Sequence, residues 1–530
     1  MKRSRLCRTV LSLLVVAVAI GACALSAGAE GVTIYTADNA PPAPELQDLP
    51  LKESVSQYGI TWTFAEPARV GQFVGGDYYV VGPVTVTAID PKPRAGAEVR
   101  EEELDSREKS LTKEGRLKVK ESDRVRNGSM LNPPARQEVA YDSGIRSYFK
   151  RELLSVPPIQ MKPGDSLVST ISRTLDDKVE FPYHAGGKRA SGDASPVKTA
   201  AVLTCMAEPQ PADAFRPSYC DTSNKVYLAR NLKRELLRTL PRPENAPKLD
   251  TWIRVFQRPW VNTGFFGFDQ PMDNMPHYGQ WVGQAQSMAG LMLMLDFPPE
   301  EKERLLVNVV QVGIDYWGVV RGGHPGWQGW GGHGSGRKFP IVFAGVLLGD
   351  DQMAAPTRAF PKCNFGEDNQ TVYGDCWTGA RVCFAGHSGI HHGENKIPRP
   401  KWGPYEHLHP SEWKNEPGQM NMQSEAYRRA NSSSSWPGQA LVIRMLKAEK
   451  QWNHDAFFDY CDRWMYEDDK EFRPVIGKYF PKLNITDDQK WACQGQAWEK
   501  FVTEMWKKYR PTVDGPTDGW KKAKGGAGDD

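Results

Sequence analysis

The feature that most constrains this chain is a change in hydrophobic period near residue 223. Before it, Ile60, Trp62 and Phe64 alternate with Thr61, Thr63 and Ala65, the two-residue repeat of a strand with one covered face. Tyr78 to Val81 and Val84 to Val86 continue with β-branched and aromatic residues around a Gly82-Pro83 break, and the pattern returns at Asp165 to Ile171 and Val197 to Leu203. After it, Leu228, Leu232, Leu236 and Leu237 recur at helical spacing, and Trp281 to Leu295 reads as an apolar helix. Pro298-Pro299-Glu300-Glu301 is a helix start, with proline and acids in the first turn, leading through Leu305, Val309 and Trp317 to Gly322-Gly323. Phe339 to Leu348, Trp436 to Trp452, Asn453 to Tyr466 with Asn453 as its cap, and Thr486 to Tyr509 supply further helices.

The expected fold class is therefore multidomain α and β. A β-sandwich-like domain spans 30–222, an (α/α) toroid, incomplete or six-hairpin, spans 223–510, and a flexible tail fills 511–530. No fixed-period repeat is visible, which favours a toroid over an armadillo-type array. Residues 92–127 carry Glu101-Glu102-Glu103, Lys118, Lys120, Arg124 and Arg126 and no aromatic, and read as a solvated excursion.

Ahead of these domains, Lys2, Arg3, Arg5 and Arg8 precede a short apolar run from Val10 to Ile20, and Ala27-Gly28-Ala29 offers a small-residue cleavage site. This is the pattern of a signal peptide over 1–29 and predicts a secreted or periplasmic protein. The rival reading takes Ile20-Gly21-Ala22-Cys23 as a lipoprotein box, which would leave Cys23 as a lipid anchor on a membrane surface. The four basic residues of the leader exceed the net charge of +3, so the remainder carries −1, a balance that excludes nucleic acid as an expected partner. No feature calls for a protein partner. Seven cysteines follow the leader, none in a CxxC pair, so disulfides are expected and a zinc ribbon is not. Cys205–Cys220, Cys363–Cys376 and Cys461–Cys493 are candidate bridges.

Nine of the ten histidines lie after residue 276, most of them in Gly- and aromatic-rich loops. The first cluster, Asp273-Asn274-Met275-Pro276-His277-Tyr278, immediately precedes a helix whose N-terminal N–H groups suit a carboxylate; alternatively Asn274 caps while His277 and Tyr278 pack. The second, His324 to Lys338, sets six glycines among Trp327, Trp330, His333, Arg337 and Lys338. Its tryptophans offer platforms for sugar rings, and its His and cations offer a base and charge, unless the loop is flexible with the tryptophans buried beneath it. The third holds His387, His391, His392 and Glu394, which have the ligand types for a divalent metal but lack HExxH spacing. Trp402, Tyr405, His407 and Trp413 follow as rim or sugar-binding candidates. In the last, Tyr427 next to Arg428 and ahead of Trp436 reads as an acid/base tyrosine flanked by cations, or as ordinary helix packing. There is no GxSxG elbow, P-loop or dinucleotide fingerprint.

Over roughly 224–510 the chain resembles the toroid-fold polysaccharide lyases, the group containing alginate, chondroitin and heparin-type lyases. The resemblance lies in Asn274-x-x-His277-Tyr278, the His333/Arg337 loop and Tyr427-Arg428. It implies β-elimination on an anionic, uronate-containing polysaccharide with no required cofactor. Asn274, Arg337 and His277 would neutralise the uronate carboxylate, His333 would take the C5 proton, and Tyr278 or Tyr427 would protonate the leaving oxygen. Such chemistry needs the neutraliser because the C5 proton is removable only once the carboxylate is screened. In many of these lyases the toroid precedes the β-domain; here the order is reversed. The runner-up is a toroid glycoside hydrolase, which needs two carboxylates from among Asp269, Asp273, Glu394 and Glu406. A non-catalytic surface glycan-binding protein is the third reading.

Overall fold

The computed structural model describes residues 32–521, apart from 105–118, 137, 146–147, 175–176, 178–194, 262, 264–271, 277, 388–404, 417–418 and 486–493. The leader, including Cys23, lies outside the described residues. The chain is mixed α and β, with an N-terminal curled sheet, a half-barrel, and a helical C-terminal half. Among the described residues no helix is long and apolar enough to cross a membrane.

The strands are β1 (Leu51–Gln57), β2 (Ile60–Gln72), β3 (Tyr78–Val81), β4 (Val84–Asp90), β5 (Arg94–Ala95), β6 (Val125–Arg126), β7 (Ser129–Leu131), β8 (Ile159–Met161), β9 (Ser166–Ser172) and β10 (Val197–Met206). Eight of them form one sheet in the order β7-β9-β10-β3-β2-β4-β8, with β1 also on β2. Among the described strands of this sheet only β10 and β3 run parallel. The curl comes from β2: its first half pairs with β4 and its second half with β3, across the exposed break Ala65-Glu66-Pro67. Bulges at Lys52/Ser54 and Thr63/Phe64 add to the bend.

Inside the curl Ile60, Trp62, Phe64, Val70, Val80, Val86, Leu167, Leu203 and Cys205 form one core. Each aliphatic or Phe side chain buried there contributes roughly 1.5–3 kcal/mol. The opposite face of β9 and β10, with Val168, Ala200 and Val202, packs into the core of the helical half. The expected sandwich is thus corrected: the second layer over this sheet is helical. A continuous apolar stretch such as Ala200 to Leu203 within β10 is the signature of a strand covered on both faces, whatever covers it. Arg216, fully buried, ties the halves together by donating to Asp77 at 2.7 Å and to both oxygens of Asp315 at 3.0 and 2.8 Å.

The helices that position the site are α1 (Leu249–Gln257), α2 (Gly279–Leu293), α3 (Pro299–Arg321), α4 (Lys338–Leu348), the short α5 (Gly366–Gln370), α6 (Asn421–Tyr427), α7 (Pro437–Met445), α8 (Asp455–Tyr466), α9 (Phe472–Tyr479) and α10 (Lys500–Tyr509). Helix α3 starts at Pro299 with Glu300 and Glu301 in its first turn, and Gly322 caps its end, as its sequence requires. A hairpin of β11 (Thr371–Tyr373) and β12 (Val382–Phe384) follows α5.

Several expectations are corrected. Leu228 to Leu237 form two single 3₁₀ turns, because the backbone is tied to tertiary partners: Ala214 bridges Leu228, and Lys233 N–H donates to the Leu347 carbonyl at 2.8 Å. Trp436 to Trp452 divides into α7 and a short helix Glu449–Trp452, since Lys447 takes a left-handed φ of 54°. Asn453 closes that short helix in the left-handed region and does not cap α8. The flanks of the charged excursion are anchored by the β5–β6 pair, with Val99 and Val125 fully buried. Of the expected tail, Val513 and Trp520 are buried, and the Trp520 carbonyl accepts the Arg381 N–H at 2.8 Å. Among the described residues the disulfide is Cys376–Cys383, which staples the hairpin β11–β12, while Cys205, Cys220 and Cys363 are free. Cys205 lies in the core of the curl, which rules out the Cys205–Cys220 bridge, and Cys376 is engaged away from Cys363. Cys493 lies outside the described residues.

Candidate active site

Four segments bring aromatic and imidazole rings together. Tyr278 sits at the N-cap of α2, Trp330 and His333 on the glycine-rich loop, His387 just beyond β12, and Tyr427 at the end of α6. The Tyr278 and His333 rings meet edge-on with centroids 4.7 Å apart. His387 and Tyr427 meet the same way at 4.5 Å, and Trp330 lies edge-on to His387 at 6.1 Å. The Tyr278 hydroxyl donates to the Gly331 carbonyl and accepts from the Asn431 amide at 3.2 Å. Asn431 belongs to a π-helical turn, Arg428–Ser432, that follows α6. Such turns recur at functional sites because the extra residue re-aims side chains.

The glycines of the loop serve packing within the protein. Gly331, at φ +66°, lies so close to His387 and Tyr427 that a β-carbon would come within 2.6 Å of the imidazole Nε2 and 2.4 Å of the tyrosine ring. Only glycine permits both this backbone conformation and this approach. The start of α2 is likewise closed by the loop, since a β-carbon on Gly279 would meet the Gly332 and His333 carbonyls at 2.2 and 2.1 Å. The expected open anion site at this helix N-terminus is therefore covered by backbone.

Burial, the Arg337 guanidinium and His387 push the His333 imidazole down to about 3, and burial pushes His387 down to about 4. Burial lifts the Tyr278 hydroxyl well above its usual range, against the Asn431 hydrogen bond. At neutral pH the site therefore presents two uncharged imidazoles and a firmly protonated phenol. Both shifts run away from neutral pH, so in the empty site the imidazoles are weak bases and the phenol a weak acid.

Other expected site residues are interior. Arg337 is fully buried beneath the loop, where it donates to the His333 and Ser335 carbonyls at 3.1 and 2.8 Å, so it braces the loop from the interior. Lys338 pairs with Asp368 under the Trp452 ring. Trp327 is fully buried against His324, ring centroids 4.6 Å apart. Trp436 is buried with its ring N–H on Ser335 Oγ at 2.9 Å, and Tyr405 is buried with its hydroxyl on Glu425 at 2.8 Å. Arg428 is taken up by Glu425 inside the core and is no site cation. Asn274 is fully buried and donates to the Val255 and Arg258 carbonyls at 3.0 Å, fixing the end of α1. Among the tryptophan platforms, Trp330 alone of the described candidates keeps partial exposure at this site. His407 is exposed beside the disulfide, with Nδ1 3.1 Å from the Asp375 carbonyl. His277, His391, His392, Glu394 and Trp402 lie outside the described residues.

For the hydrolase reading, Asp273 is paired with Arg173 at 2.8 Å and Glu406 with Arg463 at 3.0 Å, all buried. Asp269 and Glu394 lie outside the described residues. Cys376, Cys383 and Glu406 approach one another closely enough for a cation, but the two sulfurs are bonded together and Arg463 holds the carboxylate. Three residues at the site were not assigned catalytic roles from sequence: His387, read only as a metal ligand, Asn431, and Ser424, whose hydroxyl accepts the His387 N–H at 3.0 Å. His387 carries a signal in its Gly386 neighbour; Asn431 and Ser424 carry none, because only tertiary folding brings them here. Comparison of the chain with protein-family models, curated proteins and solved structures gives no match.

Proposed function

We propose that this chain is an exported polysaccharide lyase that cleaves a uronate-containing glycan by β-elimination. The observation that carries the reading is the convergence of Tyr278, His333, His387, Tyr427 and Asn431 from separate segments, with rings in contact and neutral imidazoles beside a protonated phenol. In this reading His333 takes the C5 proton, Tyr278 protonates the leaving oxygen, and the His387 ring and the Asn431 amide face the uronate carboxylate. Tyr427 supports His387, and Trp330 carries a sugar ring. An imidazole held neutral by burial is a weak base in the empty site, but an arriving carboxylate favours its protonated form and so strengthens it when substrate is bound. The helical half is read as an incomplete (α/α) toroid, and the leader as a cleaved signal or, through Cys23, a lipid anchor. The chemistry requires no cofactor.

The test is ultraviolet absorbance of residues 30–530 incubated with a panel of uronate polysaccharides, with His333→Ala as control. A rise with one polymer that vanishes in the variant is the expected result. New reducing ends without the chromophore would replace the lyase by a hydrolase, and retention on a polysaccharide column with neither product would leave a binding protein.

A further inference from the structure

The segment from Asn364 to Gln370 touches both imidazole-bearing loops. Asn364 pairs with the start of the glycine-rich loop, its carbonyl accepting the Trp327 N–H at 2.8 Å and its N–H donating to the Pro325 carbonyl at 3.0 Å. Gly366 lies against Gly334, where a β-carbon would come within 2.7 Å of the Gly334 carbonyl carbon. One residue on, Glu367 Oε1 accepts the N–H of Gly336, three residues beyond His333. Three residues further along α5, Gln370 donates to the Gly386 and His387 carbonyls at 3.4 and 3.0 Å. The spacing of three places Glu367 and Gln370 one turn apart on the same face. Gly336 cannot drift to restore a lost contact, because at φ +83° it is wedged against the α2 backbone, 2.4 Å from Gly283 N to a β-carbon placed there.

We infer that Glu367 is a positioning residue for the proposed reaction: its carboxylate latches the far end of the His333 loop while Gln370 latches His387, so that one short helix fixes the separation of the two imidazoles. This rests on the lyase reading only for what the imidazoles do; the latch itself is a statement about the chain. Glu367 is fully buried, its second oxygen has no hydrogen-bond partner, and the charged and titratable groups around it are Lys338 and Arg337, Asp368, and Cys461 of α8. Burial pushes its carboxyl up to about 7, against the Gly336 N–H bond. The strength of the latch therefore changes with protonation in the neutral range, the carboxylate being the stronger acceptor.

The full chain with Glu367→Ala and Glu367→Gln tests this by two readouts. In glycine-labelled wild type the Gly336 amide resonance is expected to titrate with a midpoint near 7, and to be flat in Glu367→Gln. With the polymer identified by the absorbance assay, Glu367→Ala is expected to lower kcat by about 100-fold, the cost of displacing a reacting group by about 1 Å. KM should change little, and Glu367→Gln, which keeps an acceptor oxygen, should recover most of the rate. A Gly336 amide that does not titrate in wild type, or an unchanged kcat in Glu367→Ala, would overturn the latch. If Glu367→Ala does not fold, the titration and the Gln variant decide. Titration of Gly336 with no elimination on any uronate polymer would keep the latch and overturn the lyase.

Discussion

The curled sheet and the helical half bury polar groups in opposite ways. Inside the curl an apolar cluster holds the sheet together, and Ser169 there accepts from the Trp62 ring N–H and from the Ser129 hydroxyl, at 2.9 and 2.8 Å. Around the candidate site the helical half buries Arg337, Lys338, Arg428, Arg429 and Arg463 together with Glu367, Asp368, Glu406, Glu425 and Asp469. Glu425 alone serves two guanidiniums, Arg428 at 2.9 Å and Arg429 at 2.5 Å. Buried ion pairs of this kind add little net stability over apolar residues of the same volume. Their placement beneath the loop and the π-helical turn indicates that they fix positions, whereas the sheet supplies cohesion.

The sharpest way to break that comparison is at the rings themselves. His333→Ala is expected to lower kcat by about 10³-fold, within the range for loss of a general base, while thermal unfolding stays close to wild type because His333 is partly exposed. If the thermal midpoint falls as far as activity does, the site is a packing cluster and the contrast between the halves disappears. Next in size is Glu425→Gln, which leaves two buried cations under-compensated and should cost about 3–5 kcal/mol in denaturant unfolding, with loss of activity. Its counterpart in the sheet, Trp62→Phe, loses one hydrogen bond and some volume, and should cost about 1–3 kcal/mol with kcat unchanged. Equal effects on activity from both would mean that the sheet, too, sets the geometry of the site.

Legibility in the sequence followed the same division. Strand periods around Ile60, Trp62 and Phe64 and the capped α3 are local signals, and they marked the elements correctly. What covers the second face of β10 is a tertiary fact, so a sandwich was inferred where helices lie. At the candidate site, Tyr278, His333 and Tyr427, which the sequence singles out by residue type, are brought near one another by the fold. Residue type was misleading for Arg337, Lys338, Arg428, Trp327 and Trp436, because a charge or a large ring beside glycine looks the same in sequence whether it faces a cleft or the interior. The acids that neutralise those cations, Asp368 for Lys338 and Glu425 for Arg428, give no local hint that they will do so.

A smaller effect sharpens the contrast through pH. His333 and His387 are held neutral in the fold, at about 3 and about 4, while the unfolded chain protonates them near 6.5. Their contribution is complete above 6.5 and is lost as pH falls towards 4, at up to about 1.4 kcal/mol per pH unit for each group. Glu367 acts in the opposite direction: its raised carboxyl lets the folded chain hold a proton that the unfolded chain has lost, so its contribution declines as pH rises from 4.5 to about 7. Asp315 and Asp462, whose carboxyls burial pushes up to about 6, act in the same direction as Glu367, so the share of the histidines is read by difference against a variant that lacks them. His333→Ala combined with His387→Ala should lose less stability than wild type on acidification from pH 6.5 to 4.5, because only the raised carboxyls of Glu367, Asp315 and Asp462 remain of these groups. An acid limb unchanged in the double variant would place the titrating groups elsewhere in the molecule.

The smallest expected effect is at Trp330, and it separates binding from positioning within the site. The residue sits at φ +40°, a left-handed conformation that costs a tryptophan of order 1 kcal/mol. Its ring N–H is held on Gln328 Oε1 at 2.6 Å while the ring edge approaches His387. Neighbouring Gly331 is pinned by its N–H to the His387 carbonyl at 2.8 Å, so the backbone conformation is imposed by the loop and survives loss of the side chain. Trp330→Ala should therefore raise KM about tenfold, the equivalent of about 1.4 kcal/mol, with kcat within about twofold of wild type. Trp330→Phe should recover part of the loss by keeping a flat face. A fall in kcat at constant KM would instead assign the ring to holding His387 in place, and would move Trp330 from the substrate to the scaffold side of the comparison.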